Sequence, residues 1–129
     1  MSKIIFTIDK FDCLNQSHFH LIKEMRKLAL PDGEIIAVIF DDYSCFVNNR
    51  QFPIQDLSHR KNNLEFLVKD FLQCFTNDPS PVILALIDRA KKENKRLIYV
   101  GYEDNKSFIG RETLAKANIS MRFIKKYAK

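Results

Sequence analysis

Three short runs of β-branched and aromatic residues, spaced so that helices fit between them, constrain this chain more than any other feature. They are Lys3-Ile4-Ile5-Phe6-Thr7-Ile8, Glu34-Ile35-Ile36-Ala37-Val38-Ile39-Phe40-Asp41 and Arg96-Leu97-Ile98-Tyr99-Val100-Gly101. Runs apolar at successive positions suit strands covered on both faces, as in parallel sheets. A weaker strand is expected near Phe71–Phe75, in competition with a helix end. Between the strands the period becomes helical. His18, Leu21, Ile22, Met25, Leu28 and Ala29 share one face, closed by Pro31 and Gly33. Arg60, Leu64, Leu67, Val68, Phe71 and Leu72 share a second, with Asp56 or Ser58 as N-cap. Ser80-Pro81 reads as an N-cap followed by proline, opening a third helix with Val82, Ile83, Leu86, Ile87 and Ala90 inward. A short C-terminal helix is expected from Ser120. This alternation predicts a Rossmann-like α/β three-layer sandwich, a mostly parallel central sheet with helices on both faces.

A chain of 129 residues, 46% hydrophobic and 29% charged, fits a single domain spanning residues 1–129 with its own core. The formal charge of +5 is compatible with phosphorylated ligands or with a solvated lysine surface. Lys91, Lys92, Lys95, Arg96, Lys125, Lys126 and Lys129 are scattered, with no stacking platform of interleaved aromatics, so nucleic acid is not an expected partner. Cys13, Cys45 and Cys74 lack metal or disulfide spacing and read as reduced, half-buried thiols. Neither a signal peptide nor an apolar span long enough for a membrane is visible, and a cytoplasmic protein is expected.

In open parallel sheets ligands bind beyond the carboxyl ends of strands, where the strand order reverses. That directs attention to Asp9–His18 and to Tyr102–Arg111. The first segment, Thr7-Ile8-Asp9-Lys10-Phe11-Asp12-Cys13-Leu14-Asn15-Gln16-Ser17-His18, resembles the nucleotidyltransferase signature G-x-F-D-x-x-H-x-G-H, with Phe11, Asp12 and His18 in register. The likeness continues along the chain. Ile35 to Tyr43 resembles the second strand and acidic turn of glycerol-3-phosphate cytidylyltransferases, with Arg50 in the loop that follows and Arg60 early in the next helix. Leu97 to Asp104 resembles their later strand and nucleotide-facing turn. Ile119-Ser120-Met121-Arg122 stands where that family has I-S-[ST]-[ST] at a helix start.

The resemblance implies transfer of a nucleotidyl group from CTP, or from ATP, to a phosphorylated alcohol or sugar, with release of pyrophosphate. It implies His18, Lys10 and Arg60 in catalysis, and Thr7, Asp9, Phe11, Asn15, Arg50, Gly101, Tyr102, Asp104, Ser120 and Arg122 in nucleotide or substrate binding. Mg²⁺ would accompany the nucleotide, with no dedicated protein metal site, and a homodimer is the implied assembly. The sequence also departs from the family pattern: Asp9 replaces a glycine, Asn15 the first histidine, Ser17 another glycine and Met121 a hydroxyl residue. A carboxylate about 4–5 Å from a phosphate charge costs on the order of 3–4 kcal/mol at an effective dielectric near 20. The alternative is therefore a degenerate pseudoenzyme acting as a nucleotide- or protein-binding module. Local readings stand beside these roles. Arg60, on an inward helical face, either reaches a phosphate or pairs with a buried carboxylate such as Asp12 or Asp41. Asp12 reads as a residue that fixes its loop by accepting from local backbone amides.

Overall fold

A computed structural model describes residues 2–74 and 77–126. The three apolar runs form β1 (Lys3–Asp9), β2 (Glu34–Phe40) and β4 (Arg96–Tyr102), with β3 (Asp70–Cys74) and β5 (Ser120–Ile124) added outside them. All pairings are parallel, in the order β3-β2-β1-β4-β5. The helices are α1 (Gln16–Ala29), α2 (Asp42–Asn49), α3 (Leu57–Leu64), α4 (Ser80–Lys92) and α5 (Arg111–Lys116).

Period-two alternation along the strands sorts their side chains between two apolar layers. Ile4, Phe6, Ile36, Val38, Leu97 and Tyr99 pack against Ile83, Leu86, Ile87 and Ala90 of α4 and Leu114 of α5. Ile5, Ala37, Ile39, Ile98 and Val100 pack against Leu21, Ile22, Met25 and Ala29 of α1 and Leu64 of α3. Each fully buried aliphatic side chain contributes roughly 1.5–3 kcal/mol, so the two layers together dominate the stability. The expected Rossmann-like sandwich is what forms, with a wholly parallel sheet. Among the described residues no helix is long and apolar enough to cross a membrane.

Several local expectations are corrected. The second helical stripe ends at Leu64, whose carbonyl accepts from both Leu67 and Val68 N–H in a tight turn. The chain then extends to pair with β2 from Ile36↔Asp70 to Phe40↔Cys74, because three- and four-residue apolar spacing by itself cannot separate a helix end from a strand start. Of the strand expected over Phe71–Phe75, Phe75 lies outside the described residues, as does the Cys74 thiol. Residues from Ser120 form a strand and not a helix. The free edge of β4 offers backbone partners to the whole segment, and Phe123 joins the Tyr99 and Phe108 rings. The stretch after β2, expected as a loop, contains α2, whose N-cap Asp41 accepts from the Ser44 amide at 2.7 Å. Pro79, not Ser80, caps α4, and the Ser80 hydroxyl stands 2.8 Å from that of Thr113, joining α4 to α5.

Gly33 makes the return from α1 into β2 possible. A Cβ there would lie 2.5 Å from the Ala29 carbonyl oxygen and 2.9 Å from that of Lys3, both backbone atoms with little freedom to give way. Gly33→Ala is expected to lower stability by about 1–3 kcal/mol, the usual cost of overpacking. Urea unfolding checks this, and an unchanged midpoint would mean that the turn relaxes without cost.

Candidate functional site

The chain runs outward from β1 through β2 to β3, and α4 then returns it to β4 on the other side of β1. The order thus reverses between β1 and β4, and a cleft of about 700 Å³ opens at that point. Ile8 and Asp9 at the end of β1 border it with Lys10 and Asp12 just beyond, as do Asn15, Ser17 and His18 at the cap and first turn of α1, and Tyr102 at the end of β4 with Asp104 and Asn105 after it.

His18 is set by the way α1 begins. Asn15 is the N-cap; its side-chain oxygen accepts from the Ser17 and His18 amides at 2.9 and 3.4 Å. In return the Asn15 amide donates to His18 Nδ1 at 3.1 Å, a capping box with histidine in the position usually held by Glu or Gln. Because Nδ1 accepts, the neutral ring carries its proton on Nε2. Nε2 stands 3.2 Å from Asp9 Oδ2. Asp9 Oδ1 accepts from the Lys10 amide at 2.8 Å. The Asp9 carboxylate therefore sits against the face of His18 that a phosphate would approach.

The turn after β1 is held from a distance. Phe11 and Cys13 have φ of 53° and 50°, left-handed values that non-glycine side chains adopt only under constraint. Asp12 supplies much of that constraint: its carboxylate accepts from the Ile54 and Gln55 amides at 2.7 and 2.9 Å, while the Cys13 amide donates to Gln55 Oε1 at 3.2 Å. Asp12 thus fixes its loop through amides, but the local amides expected are replaced by those of a segment 42 and 43 residues away, which the fold brings alongside. Burial raises its pKa, but the two amides, with Lys10 and Arg60, outweigh that effect and hold the carboxyl below its ordinary value.

Arg60 is corrected from a catalytic role to a structural one. The residue is fully buried, and its guanidinium donates to the Gln55, Lys10 and Phe40 carbonyls at 3.0, 2.6 and 2.8 Å and to Asp42 Oδ1 at 2.7 Å. Its carboxylate partner is Asp42, neither Asp12 nor Asp41. With its donors so engaged and no exposed surface, it cannot contact a ligand.

Of the other expected residues, Asp9, Lys10, Asn15, Tyr102 and Asp104 border the cleft with His18. Thr7 is buried within β1, and Phe11 packs under α1 with its ring centroid 5.6 Å from that of His18. Gly101 leaves room for the Tyr99 phenol, since a Cβ there would meet Tyr99 Oη at 2.5 Å. Arg50 is the exposed, left-handed C-cap of α2, outside the cleft lining. Ser120 lies at the amino end of β5, opposite Ile98, where its hydroxyl accepts from Arg96 at 3.2 Å; Arg122 is exposed on the same strand. Because the segment is extended, Ser120 lies at the far end of the strand from the cleft and Arg122 lies mid-strand opposite Val100, and neither lines the cleft. Ser107, Phe108 and Ile109 also line the cleft, within the Tyr102–Arg111 segment singled out from sequence, whereas Asn48 and Asn49, brought to the rim by α2, and Lys126 were missed. An Asp-Asp pair directly after a buried strand was the available signal for α2, since Asp41 is a good N-cap.

The cleft holds little free positive charge. Lys126 Nζ is 3.2 Å from Asp104 Oδ2 and 5.3 Å from the centre of the Tyr102 ring. The Tyr102 hydroxyl is buried without a hydrogen-bond partner. Burial, aided by the charges of Asp9 and Asp104 and by Tyr99, pushes that phenol well above its ordinary pKa. Among the described residues no group of three or more His, Cys, Asp or Glu is placed to hold a metal ion.

Two substitutions test this assignment. Arg60→Met would leave three carbonyls and the Asp42 carboxylate without their donor, and is expected to cost about 3–5 kcal/mol in urea unfolding; a variant as stable as the parent would free Arg60 for a ligand role. Asp12→Asn places an amide NH₂ where two N–H donors converge and is expected to cost about 1–2 kcal/mol at neutral pH. Because the folded carboxyl has the lower pKa, its stabilisation is complete above the unfolded value near 3.9 and is lost as the pH falls through the folded value. Parent and variant stabilities should therefore converge in acid, and a gap independent of pH would remove Asp12's charge from the account.

No family model and no curated protein matches this chain. Among solved structures it is similar to the crystal structure of the lipopolysaccharide core biosynthesis protein from Thermoplasma volcanium GSS1, with a TM-score of 0.69 and 23% identity over 98% of each chain. At that identity the likeness establishes a shared Rossmann-like α/β fold over essentially the full length of both chains.

Proposed function

We propose that the cleft binds a nucleoside triphosphate and that the chain is a nucleotidyltransferase, transferring a nucleotidyl group from CTP to a phosphorylated alcohol or sugar. One observation carries the reading: His18, in the first turn of α1, borders a cleft at the sheet's switch point, with Nδ1 accepting from the Asn15 amide and Nε2 turned towards Asp9. A helix N-terminus favours anionic groups, and a neutral imidazole N–H can stabilise charge developing on a phosphate oxygen. The full-length fold likeness to a lipopolysaccharide core biosynthesis protein is in keeping with a biosynthetic role for this fold. The attacking phosphate oxygen is already ionised, so the reaction needs no strong base. What the protein supplies is alignment and donors, from His18 and Lys10, together with the field of the α1 N-terminus. Asp9 is the carboxylate at the end of β1, and each of its oxygens retains lone pairs beyond the single contact it makes. It thus fits a magnesium ion held mainly by phosphates, and that ion would spread the triphosphate charge.

A second reading follows from the shortage of cations. Arg60 is internal, Arg50 and Arg122 lie outside the cleft, and Lys126 is paired. In this reading the chain binds a nucleotide or a protein partner without catalysis.

Calorimetric titration with CTP and ATP, each with Mg²⁺, followed by a pyrophosphate-release assay on phosphorylated alcohols and sugars, separates the two. The transferase reading expects magnesium-dependent CTP binding and turnover that falls at least about a hundredfold in His18→Ala, as for loss of a strong transition-state donor. Binding without pyrophosphate release from any acceptor favours the non-catalytic reading. Turnover unaltered in His18→Ala would remove the mechanism.

A further inference from the structure

We infer that Asp9 makes the cleft selective for a metal-complexed nucleotide over the free nucleotide, an inference that rests on the nucleotide-binding reading above. The argument is one of charge placement. Asp9 Oδ2 is 3.2 Å from His18 Nε2, the nitrogen a phosphate would use, and the Asp9 side chain retains 26% of its exposure on the cleft side of β1. An anionic ligand reaching His18 must therefore come close to a carboxylate as well.

The neighbouring cations do not offset it. Lys126 is held by Asp104 at 3.2 Å, and Arg60 is enclosed by Asp42 and three carbonyls. Lys10 remains as a cleft-lining cation, and its charge already acts on the neighbouring Asp12 carboxylate. A free triphosphate brings several negative charges into a cleft that also contains Asp9 and Asp104. A divalent cation reverses the sign of this interaction. Mg²⁺ favours one or two carboxylates together with phosphate oxygens, so the side chain that repels the free nucleotide attracts its magnesium complex. Asp9 is in this sense a specificity-determining residue: it screens for the metal on the ligand.

The test is calorimetry on the full chain with CTP, in millimolar Mg²⁺ and in EDTA, comparing the parent with Asp9→Asn. The parent is expected to bind about tenfold to a hundredfold more weakly in EDTA, in keeping with one unscreened like-charge contact in a partly wetted cleft. Asparagine keeps an oxygen for the Lys10 amide and loses the charge, so Asp9→Asn should bind with affinities within about threefold in the two buffers. Circular dichroism melting verifies that the variant is folded; should it not be, Asp9→Ser removes the same charge and takes its place. A parent that binds CTP equally with and without metal overturns the inference, as does an Asp9→Asn protein with the parent's full magnesium dependence. Absence of binding of CTP and ATP by both proteins in both buffers overturns the nucleotide reading itself, and this inference with it.

Discussion

The buried guanidinium of Arg60 is the interaction on which the functional end of this molecule depends. It joins the carbonyl of Lys10, just past β1, to that of Phe40, the last residue of β2, and adds the Gln55 carbonyl and the Asp42 carboxylate. Strand ends at the carboxyl edge of a parallel sheet leave carbonyls with no strand to accept from, and burying them unpaired is costly. Arg60 satisfies two such carbonyls with one planar group and in doing so sets the spacing of the turns that frame the cleft. A buried cation is itself expensive to desolvate, so the arrangement holds only because the acceptors and the Asp42 charge surround it.

A second lock lies beside the first. Asp12 takes two amides from the 54–55 segment, and Gln55 returns a side-chain bond to the Cys13 amide, so the left-handed turn after β1 cannot relax independently. The turn delivers the chain into α1 through Asn15, whose capping box with His18 settles both the start of the helix and the tautomer of the ring. The chemistry available to the cleft follows from these constraints. A donor is positioned where anions bind well, while a carboxylate against that donor and the internal use of Arg60 reduce the positive charge on offer.

Much of the fold is legible in the sequence. Ile4 to Ile8, Ile35 to Phe40 and Leu97 to Val100 are apolar on both faces, which hardly any environment but the middle of a covered parallel sheet satisfies. The stripe from His18 to Ala29 admits only a helix. Weaker signals were ambiguous for physical reasons. Leu64, Leu67, Val68 and Leu72 suit either a continuing helix or a turn and a strand, and β3 wins because β2 has an edge to be paired. The Ser120 segment is decided in the same way by the edge of β4. In the candidate site, Asp9, Lys10, Asn15, His18, Tyr102 and Asp104 were legible because they lie within a few residues of strand ends that the pattern locates. Asn48, Asn49 and Lys126 were not, because they reach the rim from elements whose paths depend on packing.

The sequence by itself determined the layered α/β architecture, the switch-point position of the cleft and the presence of His18 at the head of α1, since these follow from local periodicity and from chain order. It also marked Arg60 as a charge in need of partners. Only the tertiary structure decided that those partners are Asp42 and three carbonyls, that Asp9 lies against His18, and that Ser120 and Arg122 belong to an edge strand away from the cleft. Local pattern sets the secondary structure a segment prefers, but which polar groups meet depends on distances between segments far apart in sequence, such as the 50 residues between Lys10 and Arg60. Those distances are settled when the sheet closes and every buried donor and acceptor must find its counterpart.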